Sequence, residues 1–271
     1  MAQRHPAVRR KKKKKKGNGA GLVLGLVVLA MIIWLWPRGE AAPSSKTTAD
    51  TQGETTGETA APSTEAYIPQ ALLELEQRNP ETHDFVAHYP GNASWEDIDI
   101  SGDYTTGEIP HFLQWDERWG YLPYGSSAPE DMIGLSGCGP TALSMVVVGL
   151  TGNLEASPAA VARYAAGEGY VTQDSGTDWG LMSQGCRHFG LTAHEVPLWE
   201  ATMIQELEDS PIICAVGPGD FTEVGHFLVL TGYEDGAFRL QDPNSRENSQ
   251  RTWTYRELSP QIRGMWAYEG E

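Results

Sequence analysis

The chain has 271 residues and a formal net charge of -16, from 20 Lys and Arg against 36 Asp and Glu. Nine of the basic residues (Arg4, Arg9, Arg10 and Lys11 to Lys16) lie in the first 16 positions, which leaves eleven basic against 36 acidic side chains over residues 17 to 271. So acidic a surface does not neutralise phosphates, which excludes a nucleic-acid-binding globular part. Three Cys with no C-x-x-C pair speak against a disulfide scaffold or a structural zinc site, and no motif calls for a metal or a cofactor.

Gly19 to Trp36 is a run of 18 residues without a charge or strongly polar group, about the minimum that crosses a hydrocarbon core of about 30 Å. The basic block at 1–18 precedes it and only Arg38 lies close after it. The positive-inside bias therefore predicts a transmembrane helix over 19–37 inserted in the lipid bilayer, with a cytoplasmic basic tail and everything beyond it extracellular. The competing reading is a cleaved signal peptide, with Gly39 and Ala41 as the small residues and a secreted product, although the apolar stretch exceeds the usual length for one. Residues 38–66 carry Thr, Ala, Gly, Ser and Glu and no large apolar side chain before Tyr67, so they bury too little to offset chain entropy and read as a disordered stalk.

Residues 67–97 read as a helical arm. Leu72, Leu73 and Leu75 mark a first short helix, and Asn79 as N-cap with Pro80 at the first helical position marks a second. Residues 98–271 fit one mixed domain. Its helices are Cys138 to Leu150, ended by Gly152-Asn153; one capped by Ser157-Pro158 and running to Gly167; and one capped by Thr177 or Asp178 and ending at Gly190. Strands follow at 211–217 and 226–232, with 237–241 as the second arm of a hairpin about Asp235-Gly236. Helices first and an antiparallel sheet afterwards is an α+β pattern.

The chemistry concentrates at Ser136-Gly137-Cys138-Gly139-Pro140-Thr141, which puts a thiol on the first turn of a helix. Unpaired N–H groups and the helix dipole favour an anion there, and hence a nucleophilic thiolate. The bland alternative for a Cys is a small buried hydrophobe, which suits Cys186 and Cys214 better; whether those two pair is open. A thiolate nucleophile needs a base and an orienting group. His226 opens a strand after a Gly/Pro-rich loop and Asp242 ends the next one. A hairpin about Asp235-Gly236 would bring them together, leaving one imidazole nitrogen for the thiol. Gln114 precedes the nucleophile and offers a side-chain amide for an oxyanion, beside the Cys138 backbone N–H. Trp115, Trp119, Trp179, Trp253 and Trp266 read as core or groove walls.

The segments HFLQWDERWGYLPYG (111–125), GLSGCGPTALSMVVVGLTGN (134–153), GTDWGLM (176–182), GDFTEVGHFLVLTGY (219–233) and QDPNS (241–245) together resemble cysteine peptidase family thirty-nine, the papain-like peptidases named for bacteriocin leader processing. Their stand-alone bacterial relatives are closer, and the resemblance runs over about 68–269. It implies a papain-like fold with Cys138 as nucleophile, His226 as general base and then acid, Asp242 orienting His226, and Gln114 in the oxyanion hole. The implied activity is peptide-bond hydrolysis through a thioester acyl-enzyme. The leader-processing members act on the cytoplasmic side of a transporter and cut after a double glycine. This chain is expected to face outward, so its substrate is expected among peptides or proteins outside the membrane. The alternatives are an amidase or endopeptidase of peptidoglycan stem peptides, and a catalytically inactive surface binding module of the same fold.

Overall fold

The computed structural model describes residues 67–91, 93–96, 98–125, 131–174 and 176–270. The basic tail, the membrane segment and the stalk expected before Tyr67 lie outside these residues. Among the described residues no helix is long and apolar enough to cross a membrane.

The two short helices expected in the arm are present. In α1 (Gln70–Arg78) Leu72 and Leu75 are buried. Asn79 then caps a 3-10 turn at Pro80–Thr82 by accepting the Glu81 N–H at 3.1 Å, and α2 (His83–Ala87) buries Phe85 and Val86. These four apolar side chains form one cluster with Leu113, Trp115 and Met132, so they are covered by the chain that leads to the candidate nucleophile.

A single turn, α3 (Ile133–Ser136), leads into α4 (Cys138–Thr151). Gly139 through Val148 are all buried, as befits a helix that is apolar on every side and runs through the centre of the protein. It stops at Gly152, whose φ of 67° is left-handed and costs glycine nothing. In α5 (Pro158–Gly167) the expected cap is made, the Ser157 hydroxyl accepting the Ala160 N–H at 3.3 Å.

The continuous helix expected from Thr177 or Asp178 to Gly190 is a misreading. The segment forms α6 (Gly180–Ser183) and a separate 3-10 stretch, Gly185–Phe189, broken at Gln184 with φ −125°. Two glycines, each weaker than alanine by about 1 kcal/mol in a helix interior, leave it short of propensity. Gly185 also packs where a Cβ would come 2.9 Å from Leu181.

The remaining elements are β1 (Leu191–Glu195), α7 (Glu200–Glu206), β2 (Ile212–Val216), β3 (His226–Glu234), β4 (Ala237–Gln241), α8 (Arg246–Gln250), β5 (Thr252–Trp253), α9 (Tyr255–Leu258) and β6 (Ile262–Gly270). They build an antiparallel sheet in the order β1-β6-β2-β3-β4-β5. Strand β6, last in the chain, lies between β1 and β2. The pleat sends Ile213, Ala215, Phe227, Val229, Trp266 and Tyr268 into the cluster around α4. Their neighbours Ile212, Cys214, Leu228, Leu230 and Ala267 face a second cluster with Met203 and Leu258. This mixed architecture, helices ahead of an antiparallel sheet, fits the papain-like expectation.

The β3–β4 hairpin turns at Asp235 and Gly236, with φ of 50° and 84°, both positive as a two-residue turn of this hand requires. The register then shifts. Gly232 faces Arg239 but Leu230 faces Leu240, so Thr231 is an extra residue in β3. Beyond it Val229 faces Gln241, and continuing that register puts Asp242 opposite Leu228, on the side of the sheet to which His226 also belongs. Had the register of the turn end continued without the shift, Asp242 would stand opposite Val229 and point to the other face.

Close packing at the start of α4 gives a testable consequence. A Cβ at Gly139 would lie 2.5 Å from the Thr177 hydroxyl and 2.6 Å from its Cβ. Gly139→Ala is therefore expected to destabilise the fold by about 1–3 kcal/mol despite its better helix propensity. The urea midpoint measures it; an unchanged or higher midpoint would show that Thr177 yields without strain.

Candidate active site

Cys138 is the first residue of α4. Gly137 before it makes no side-chain cap and the first turn holds no acidic residue, so nothing else competes for the N-terminal N–H groups. The thiol is half-buried on the wall of a cleft of about 620 Å³ that it shares with Gln114 and His226.

His226 begins β3 and is 8% exposed. Its Nε2 lies 2.6 Å from Asp242 Oδ1, and Cys138 stands near enough to act on its protonation. Burial alone would make this imidazole a weaker base. The Asp242 carboxylate and Cys138, acting through charge and hydrogen bonds, outweigh burial and raise it from 6.5 to about 10. The imidazolium is thus the preferred form at neutral pH, held between a carboxylate and a sulfur.

Asp242 is 1% exposed, and burial pushes its carboxyl upward. His226 and two hydrogen bonds more than reverse this: Oδ1 also accepts the Asn244 N–H at 2.8 Å and Oδ2 accepts Asn248 Nδ2 at 2.8 Å, so the carboxyl is held below its ordinary range. The Asp242 backbone is anchored too. Its N–H donates to Ser249 Oγ at 2.9 Å, and its carbonyl accepts from His111 Nε2 at 2.9 Å. Burial lowers the pKa of His111, which suits a neutral donor in that place.

Gln114 is buried and its backbone N–H donates to Pro243 O at 2.7 Å, tying it to the chain just past Asp242. Its Nε2 donates to Gly134 O at 3.0 Å, which leaves that amide a second N–H, while its buried Oε1 has no partner among the described residues. The four candidates Cys138, His226, Asp242 and Gln114 are thus brought to one place.

Asn248, Ser249 and His111 were not among them. Asn248 and Ser249 sit on α8, a five-residue helix whose visible signal is the Ser245 cap; nothing in the sequence says that its side chains turn back onto Asp242. Cys186 and Cys214 stand apart as separate buried thiols: Cys186 points at Leu191 O at 3.8 Å, and burial holds the Cys214 pKa up. Trp115, Trp119, Trp253 and Trp266 are core, and Trp179, 46% exposed with its ring 5.3 Å from that of Trp266, walls a groove.

A helix-start thiol thus shares a cleft with one member of a buried imidazole–carboxylate pair, in a fold of helices and antiparallel sheet. Residues 106–270 match the family described as Peptidase_C39 like, and the chain belongs to that family. Membership suggests a cysteine peptidase. Among solved structures the chain is similar to a candidate C39-like peptidase from Bacillus anthracis, 14% identical, over 65% of this chain and 98% of that one, with a TM-score of 0.37. That likeness is too loose to carry residue roles across. No curated protein matches the chain.

The His226–Asp242 contact makes stability depend on pH. Because the folded pKa of His226 is raised from 6.5 to about 10, its contribution is complete below the lower value and is lost as pH rises through the upper one. Urea unfolding from about pH 6 to about pH 10.5 is expected to show that decline in the native chain. Asp242→Asn should flatten it, since burial then dominates and keeps the imidazole neutral. Parallel profiles would mean that Asp242 is not what holds the proton.

Proposed function

We propose that this protein is a cysteine peptidase that hydrolyses peptide bonds through Cys138, His226 and Asp242. The observation that carries the reading is the buried His226 imidazole, hydrogen-bonded to Asp242 at 2.6 Å and lining the same cleft as the Cys138 thiol. The Cys138 sulfur, as thiolate, attacks the substrate carbonyl carbon, and the oxygen takes the negative charge at the Cys138 N–H and the spare N–H of Gln114. His226 gives its proton to the departing amine as the C–N bond breaks, leaving a thioester. It then takes a proton from the water that attacks that thioester; the C–S bond breaks, the acid product leaves, and the thiolate stands again beside the imidazolium. Asp242 stays ionised and holds the ring in the orientation both steps need.

We further propose that residues 19–37 anchor the chain in a membrane with this site outside, on the strength of the apolar run and the basic block before it. The substrate is then a peptide or protein at the outer surface.

Two measurements on the full-length chain test the reading. Alkylation of Cys138, followed by peptide mapping at about pH 6, should be fast in the native chain and at least about tenfold slower in His226→Ala. A Cys138 whose reactivity does not depend on His226 would leave the surface binding module as the better reading. Hydrolysis of peptides should vanish in Cys138→Ala, and Gln114→Ala should lower kcat about a hundredfold to a thousandfold with little change in KM. Release of cell-wall fragments in place of protein fragments would move the substrate to stem peptides.

A further inference from the structure

The family match begins at residue 106, yet the cleft is lined in part by residues well before it: Leu75, Arg78 and Asn79, at the end of α1. We infer that this arm is part of the substrate site and that Arg78 recognises a carboxylate on the bound peptide. The inference rests on the peptidase reading for the identity of the ligand as a peptide, and on independent contacts for the site itself.

The arm is fixed to the loop that carries Asp242. Asn79 Nδ2 donates to Asn244 O at 2.5 Å, and the Trp115 indole N–H reaches the same oxygen at 3.0 Å. The Glu81 carboxylate accepts the Ser245 hydroxyl at 2.8 Å and the N–H groups of Arg246 and Glu247 at 3.0 and 3.3 Å. With Leu72 and Leu75 buried beneath, the last turn of α1 has a set position relative to Cys138. A guanidinium presented from it is therefore preorganised, which is what makes a surface charge useful for binding.

Arg78 is also only loosely engaged among the described residues. Its approach to Glu74 is 4.0 Å, between side chains 56% and 50% exposed, too long for a hydrogen bond. Arg246, at a similar 3.9 Å from Glu81, differs in that its guanidinium lies 4.5 Å above the Trp115 ring. Apart from the His226 imidazolium, which Asp242 already pairs, the other charged residues along the cleft, Asp174, Asp220 and Glu223, are acidic. They repel a carboxylate along that part of the cleft, and Arg78 is the cation there without a buried carboxylate partner, so the charge pattern orients the peptide with its carboxylate toward the arm. A planar guanidinium takes a carboxylate with two parallel hydrogen bonds. That carboxylate comes from an Asp or Glu side chain or from the free C-terminus of the peptide.

The experiment uses the full-length chain carrying Cys138→Ala, so that binding is read without turnover. Fluorescein-labelled synthetic decapeptides of otherwise randomised sequence form four sets: one Glu, the matching Gln, a C-terminal acid, and the matching amide. Anisotropy should show about tenfold tighter binding for one acid set than for its neutral match. Arg78→Gln should erase the difference and leave the neutral sets unchanged, and Arg78→Glu should reverse it. Which pair responds tells side chain from C-terminus. Equal binding of all four sets, no binding, or a preference that survives Arg78→Gln overturns the inference. If the preference holds while the native chain shows no Cys138-dependent hydrolysis, the peptidase reading falls and the carboxylate site stands.

Discussion

The contact between His226 and Asp242 is the constraint on which the site depends. Two ionisable groups, 8% and 1% exposed, meet at 2.6 Å where neither would hold a charge alone. Removing such groups from water is costly, and the cost is offset only when each remaining lone pair and proton finds a partner. Here the carboxylate has three, from His226, Asn244 and Asn248. The imidazole has Asp242, and the Cys138 sulfur of the helical half further favours the proton on a pair built on the sheet.

The residues just after Asp242 join the two halves. Pro243 O receives the Gln114 N–H, and Asn244 O receives Asn79 and Trp115. One short loop thereby holds Gln114, Asp242 and the arm in a single frame. The arrangement also accounts for the capping of α8 by Glu81, a residue from the other end of the described chain: α8 carries Asn248 and Ser249, and fixing that helix fixes the far side of Asp242.

Much of this was legible. The Gly-Cys-Gly start of α4, the caps at Asn79 and Ser157, and the Asp235-Gly236 turn are local devices, each decided by residues within a turn or two of one another. Cys138, His226, Asp242 and Gln114 could be picked out because residue type and position at an element's end carry chemical meaning. The break at Gln184 was missed because apolar periodicity continued through it while Gly185 packed against Leu181. Asn248 and His111 were missed because an Asn on a short polar helix and a His before a strandless segment carry no local mark of what they touch.

The sequence by itself determined that a thiol stands at a helix start, that an imidazole and a carboxylate lie at the open ends of one hairpin, and that both belong to an α+β domain. These follow from backbone preferences and side-chain periodicity, which act over a few residues. Tertiary structure decided whether those groups meet on one face. The extra residue Thr231 turns Asp242 toward His226, because in a pleated sheet a shift of one residue exchanges the two faces. It also decided that β6 lies between β1 and β2 and that Asn79 reaches Asn244 across 165 residues of sequence. Such contacts are selected by the burial of whole elements against each other, and no window of sequence contains both sides of them.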